Sequence, residues 1–130
     1  MVVDTSAILA VLLQEDDALR FAEAIEAAER PLVSVASVVE AGIVLIARHG
    51  AEARADLDAL LDAGGFRVEP VTGEQGTIAL NAFDTFGKGR GHGAGLNFGD
   101  CFAYALAKSS GAPLLFKGGD FSKTDVSAAL

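Results

Sequence analysis

Cysteine occurs only once in this 130-residue chain, at Cys101, so no internal disulfide can form and no thiol pair can hold a soft metal. Phe102 and Ala103 follow it and no histidine stands beside it, so the thiol reads as small buried packing rather than as a nucleophile. Histidine is also scarce: His49 and His92 show no HxxxH spacing and no CxxC accompanies them. Cations are in short supply as well, with ten Lys and Arg against eighteen Asp and Glu and a net charge of −8. At face value that balance repels nucleic acid, unless a divalent cation or a local basic loop reverses the field. Long apolar runs are missing. The stretch Val2 to Leu13 has no basic leader and contains Asp4, and nowhere do about 20 uncharged apolar residues follow one another. A cytoplasmic protein with no membrane partner is expected. Nucleotide fingerprints are lacking too, because "GKGRG" does not continue as a GK[ST] motif and no G-x-G-x-x-G occurs.

What is present is apolar. Hydrophobic residues make up 51% of the chain and the mean hydropathy is +0.37, enough for one substantial core and a single domain over residues 1–130. That hydropathy also points to self-association, with part of the apolar surface covered by a second copy. "VV" before Asp4 reads as a short strand, and "TSAILAVLL" as the helix it feeds. "EDDALRFAEAIEAAER" reads as an amphipathic helix with acids in its first turn, stopped by Pro31. A strand in "PLVSVAS", a helix ending at Arg48, His49 and Gly50, and a surface helix closing on Gly64 and Gly65 come next. "FRVEPV" reads as a strand near an edge because of Pro70, and a helix runs from about Gly73 to Asp84. After the glycine-alternating loop "GKGRGHGAG" come a helix in "NFGDCFAYALAKSSG" and a strand in "PLLFK". Strands alternating with helices imply an α/β fold, with a short, mostly parallel sheet flanked by helices on both faces.

Three carboxylates stand alone in apolar surroundings. Asp4 is the only charge between Met1 and Leu13, Glu40 the only one from Pro31 to Ala47, and Asp100 the only one from Gly93 to Ala107. Each has an ordinary explanation: Asp4 can cap its own turn, Asp100 can be a first-turn helix charge, and Glu40 can pair with an arginine. Taken together they suggest something else. Ligands of open α/β sheets bind at the carboxyl ends of the strands, and all three acids can reach that rim. Converging carboxylates repel one another unless a hard divalent ion makes them ligands, which points to Mg²⁺ or Mn²⁺. Asp120, after the last strand, is the fourth candidate, with Asp125 as its competitor.

The motifs that carry these acids, "VVDTSAILAVLL", "SVASVVEAGIVL", "GLNFGDCFAYALA" and "PLLFKGGDFSKTDV", resemble in order and spacing the PIN-domain toxins of bacterial VapBC toxin–antitoxin pairs. The resemblance spans the whole chain. It implies a PIN fold and a metal-dependent endoribonuclease that hydrolyses RNA phosphodiesters. Asp4, Glu40, Asp100 and Asp120 would form the catalytic, metal-holding quartet, Asp4 and Asp100 foremost. Thr5 or Ser6 would place a hydroxyl beside the metal, and Asn97 would hold the site by hydrogen bonding. Lys88, Arg90, His92 and Lys117 can contact RNA phosphates, although an ordinary solvated loop explains the first three equally well. The implied partners are RNA, a second copy of the chain, and a VapB-type antitoxin whose C-terminal segment covers the site.

Two other readings compete. A phosphorelay receiver domain is also small, acidic and Mg²⁺-binding, but it needs paired acids after its first strand and an aspartate after its third. Here Thr5 and Ser6 follow Asp4, and "FRVEPVTG" has no aspartate. In a catalytically silent binding module, the same acids would only dock a partner's arginine.

Overall fold

The computed structural model describes all residues 1–130. The elements run β1 (Val2–Val3), α1 (Thr5–Leu12), α2 (Ala18–Ala27), β2 (Leu32–Ser34), α3 (Val35–His49), a 3₁₀ turn (Ala51–Ala53), α4 (Arg54–Ala63), β3 (Arg67–Glu69), α5 (Gly73–Phe86), α6 (Phe98–Ser110) and β4 (Leu114–Leu115). The four strands form one sheet in the order β3-β2-β1-β4, and every pairing is parallel. The edge position expected for the strand before Pro70 is the one β3 occupies. At the opposite edge, Leu114 N–H donates to Ser127 O and Ala129 N–H to Leu114 O, so the C-terminal segment covers β4.

The strands are two or three residues long, and alternation along them separates two cores. Val2 and Leu114 face a cluster that includes Ala82, Leu96, Ala103, Leu106 and Phe121. Val3 and Leu115 face the other side, against Ile8, Phe21, Ile25, Leu45 and Leu57. Helices therefore cover both faces of the central strands, whereas the edge strand β3 keeps Arg67 and Glu69 on either side of Val68 and stays largely exposed.

Side chains just before each of four helices start them, two of them at strand ends. Asp4 Oδ2 accepts from Ser6 N at the head of α1, Ser34 Oγ from Ala36 N at α3, Thr72 Oγ1 from Gln75 N at α5, and Asn97 Oδ1 from Asp100 N at α6. The helix expected across residues 15–30 differs at its start. It begins only at Ala18, so Glu15, Asp16 and Asp17 precede it, and the carboxylates of Glu15 and Asp17 reach Lys117 instead of the first turn. Both charges pair with a cation next to the last strand, Asp17 doing so from the N-cap position of α2.

Candidate active site

The parallel strands bring three of the lone acids to one rim by different routes. Asp4 ends β1 and caps α1; Glu40 lies on α3, which continues directly from β2; Asp100 occupies the first turn of α6. Asp120 follows β4 through Gly118 and Gly119. Asp4 is only 2% exposed and Asp100 8%, whereas Glu40 is half-buried and Asp120 exposed.

Both buried carboxylates are oriented by hydrogen bonds. Asp4 Oδ2 accepts from Ser6 N at 2.9 Å and from Ser6 Oγ at 2.5 Å. Asp100 Oδ2 accepts from Asn97 N at 2.9 Å while Asn97 Oδ1 accepts from Asp100 N, a reciprocal capping box. The Thr5 hydroxyl donates to Ser37 O at 3.3 Å.

The other two acids are placed by the absence of side chains opposite them. Glu40 Oε2 lies 1.6 Å from where a Cβ on Gly99 would stand, so its carboxylate rests against the bare backbone of the first turn of α6. Asp120 Oδ1 lies 3.1 Å from the corresponding point on Gly95. Neither contact was apparent from the sequence, where Gly95 read only as part of the glycine-alternating loop and Gly99 only as part of the helix that follows it. The one signal was their position, two residues before Asn97 and one before Asp100.

The electrostatics follow from this grouping. Burial pushes the Asp100 carboxyl up to about 7, and the charges of Asp4, Asp120 and Glu40 add to the push against the Asn97 N–H. Burial also raises Asp4, opposed by its Ser6 bonds and reinforced by Glu40. None of the four acids is engaged in an ion pair. The set is all oxygen, anionic and without a counter-charge, and that chemistry fits a hard divalent cation. No three of these side chains close on a common point. Asp125 is engaged elsewhere, accepting from Tyr104 Oη at 2.5 Å and from Lys108 Nζ at 3.0 Å.

The basic residues expected near RNA have different fates. Lys88 is exposed and unpaired, Arg90 bonds Asp84 at 2.7 Å, and Lys117 is bound to Glu15 and Asp17. His92 folds back on its own loop, accepting from Ala94 N through Nδ1 and meeting Phe86 edge-on. Lys123, which the sequence did not single out, lies along Gly93 with its Nζ outside any ion pair. Cys101 is buried, its thiol is pushed up to about 11 by that burial, and Sγ contacts Asn97 O, so it packs as a neutral side chain.

Fold and donor set together define a class: small α/β proteins with acidic side chains gathered at the carboxyl ends of parallel strands. The PIN domain family model matches residues 1–127. Ribonuclease VapC28 of Mycobacterium tuberculosis is 49% identical over 130 residues, covering 100% of this chain and 98% of the relative. Ribonuclease VapC of Mycolicibacterium smegmatis is 45% identical over 128 residues, with 98% of each chain covered. Among solved structures, Mycobacterium tuberculosis VapC20, described as a Sarcin-Ricin loop cleaving toxin, superposes with a TM-score of 0.78 at 22% identity, over 96% of this chain and 95% of that one. The chain belongs to the PIN-domain family, among the VapC ribonucleases.

Proposed function

We propose that this protein is the toxin of a type II toxin–antitoxin pair and hydrolyses RNA phosphodiester bonds with Mg²⁺ or Mn²⁺ as its cofactor. The observation that carries the metal dependence is the unpaired acid group itself: Asp4, Glu40 and Asp120 all bear on Asp100, with no cation among them. The VapC ribonuclease relatives support the choice of RNA.

Asp4 and Asp100 would hold the ion, since hydrogen bonds from Ser6 and Asn97 already fix their carboxylates. When bound, such an ion supplies positive charge that orients a phosphate and eases deprotonation of water. Glu40 or Asp120, the less buried pair, accepts the proton of the attacking water. The new P–O bond forms opposite the leaving 3′-oxygen, which departs and is protonated, giving a 5′-phosphate and a 3′-hydroxyl. Lys88 supplies a free cation for the RNA backbone.

The protein partners are a VapB-type antitoxin and a second copy of the chain. The second copy has a surface suited to it: Val35, Val39, Ile43 and Ile46 form an exposed apolar stripe along α3. No helix is long and apolar enough to cross a membrane. An RNA substrate fits a cytoplasmic location.

The deciding experiment incubates partner-free protein with structured RNA and Mg²⁺ or Mn²⁺, alongside chelator, Asp4→Asn and Asp100→Asn controls. Cleavage that requires the metal and both carboxylates is the expected result. Cleavage indifferent to both substitutions would remove the proposed site. Absence of cleavage with retained partner binding would favour the silent module, and labelling of an aspartate by acetyl phosphate would favour the receiver.

A further inference from the structure

Lys117 lies just after β4, and its two ends are tied to different parts of the molecule. Its ammonium binds Glu15 Oε2 and Asp17 Oδ1 in the segment between α1 and α2, the latter at 2.7 Å. Its backbone N–H donates to Ser6 Oγ at 2.9 Å. Ser6 Oγ in turn donates to Asp4 Oδ2 at 2.5 Å, and Ser6 N–H reaches the same oxygen.

We infer that Lys117 is a positioning residue for the acidic site, acting on Asp4 through Ser6, with Glu15 and Asp17 as the anchor that holds it in place. This rests on the proposed role of Asp4 as a metal ligand. A serine hydroxyl has one proton to give, and its rotor is free until an acceptor lone pair is occupied. The Lys117 N–H occupies that side of Ser6 Oγ, which commits the proton to Asp4. Both Ser6 bonds fall on Oδ2, so the rotation of the carboxylate is set before any ion arrives. The acidic stretch before α2 therefore serves the site from outside it. Its two charges neutralise the ammonium and keep the main chain at residue 117 within reach of the hydroxyl.

The test compares the full-length chain with Lys117→Ala, Lys117→Arg and the paired change Glu15→Gln with Asp17→Asn. The Mn²⁺ dissociation constant is read from the electron paramagnetic resonance signal of the free ion, and exchange of the residue 117 amide is followed in chelator. Lys117→Ala and the paired change are expected to weaken Mn²⁺ binding by about tenfold, in the range typical of outer-shell partners, while Lys117→Arg restores it. The amide at residue 117 should exchange faster in both weakened variants. A fall in thermal stability with unchanged Mn²⁺ affinity and unchanged amide protection would overturn the inference, because an ion pair that merely stabilises the fold gives that pattern. If Lys117→Ala does not fold, the paired change decides by the same two measurements. Mn²⁺ binding that survives Asp4→Asn would instead overturn the role of Asp4, and this inference with it.

Discussion

Glu40 and Gly99 occupy each other's space: the Glu40 carboxylate fills the volume that any side chain at residue 99 would need, with Oε2 1.6 Å from the missing Cβ. The contact joins α3 to the first turn of α6 one residue before Asp100. A methyl group there meets the far end of a flexible side chain, so the helices stay and the carboxylate moves. Gly99→Ala should therefore leave stability within about 1 kcal/mol of wild type, helped by the better helix propensity of alanine. Cleavage should nevertheless fall as far as it does in Glu40→Gln. Thermal melting alongside a cleavage assay checks this. Full activity in Gly99→Ala would mean that the position of Glu40 does not matter to the reaction.

Asp100 makes the metal-free protein sensitive to pH. Its carboxyl is raised to about 7 in the fold, by burial first and then by Asp4, Asp120 and Glu40, against an ordinary value of 3.8. A folded-state pKa above the unfolded one means the native protein holds the proton more tightly. That stabilising contribution is complete below about pH 4 and is lost as pH rises through 7. In chelator, wild type should thus lose stability over this window relative to Asp100→Asn, which keeps an acceptor for the Asn97 N–H. Because the rim is partly wet, the difference at pH 8 should be about 1–2 kcal/mol, less than the full shift implies. Denaturant melts of both proteins from pH 4 to 8 measure it, and parallel curves would contradict it.

Asp4 and Asp100 were legible in the sequence because burial is written in neighbours: a lone charge inside an apolar run either faces the core or serves a site. The strand–helix alternation was legible for the same reason, and Pro70 marked β3 as an edge. Lys117 shows where that reading stops. Its partners lie about a hundred residues away in "EDD", a stretch that looks like the acidic start of a helix until the fold brings a cation to it. Gly99 and Gly95 were opaque in another way. Glycine speaks for backbone freedom in a sequence, whereas here its use is the space it leaves for Glu40 and Asp120.

Ile43, at the centre of the α3 stripe, is 62% exposed and contributes nothing to either core. If a second copy covers Val35, Val39, Ile43 and Ile46, then Ile43→Glu places a charge in a desolvated interface. Light scattering should show a twofold drop in mass at the same protein concentration. The fold should be unaffected, since the side chain already faces water in the single chain. An unchanged mass would assign the stripe to something other than self-association.

Tyr104 and Asp125 anchor the segment that carries Asp120. The phenol donates to Asp125 Oδ1 at 2.5 Å, Lys108 adds a bond to Oδ2, and Phe121 is buried in the same core as Tyr104 and Leu114. Asp125 is held below the ordinary aspartate value chiefly by the Tyr104 bond, so its contribution to stability is present above about pH 4 and is lost as pH falls through its lowered pKa. Tyr104→Phe should cost about 1 kcal/mol near neutral pH. That is low for a bond to a charged group, because the Asp125 side chain is 58% exposed and water replaces part of what is lost. Below pH 4 the two proteins should converge. Cleavage should fall modestly as well, since Asp120 hangs from the loosened segment, while Mn²⁺ affinity at Asp4 and Asp100 should hold. A Tyr104→Phe protein whose stability deficit persists undiminished in acid would show that the phenol acts through packing rather than through Asp125.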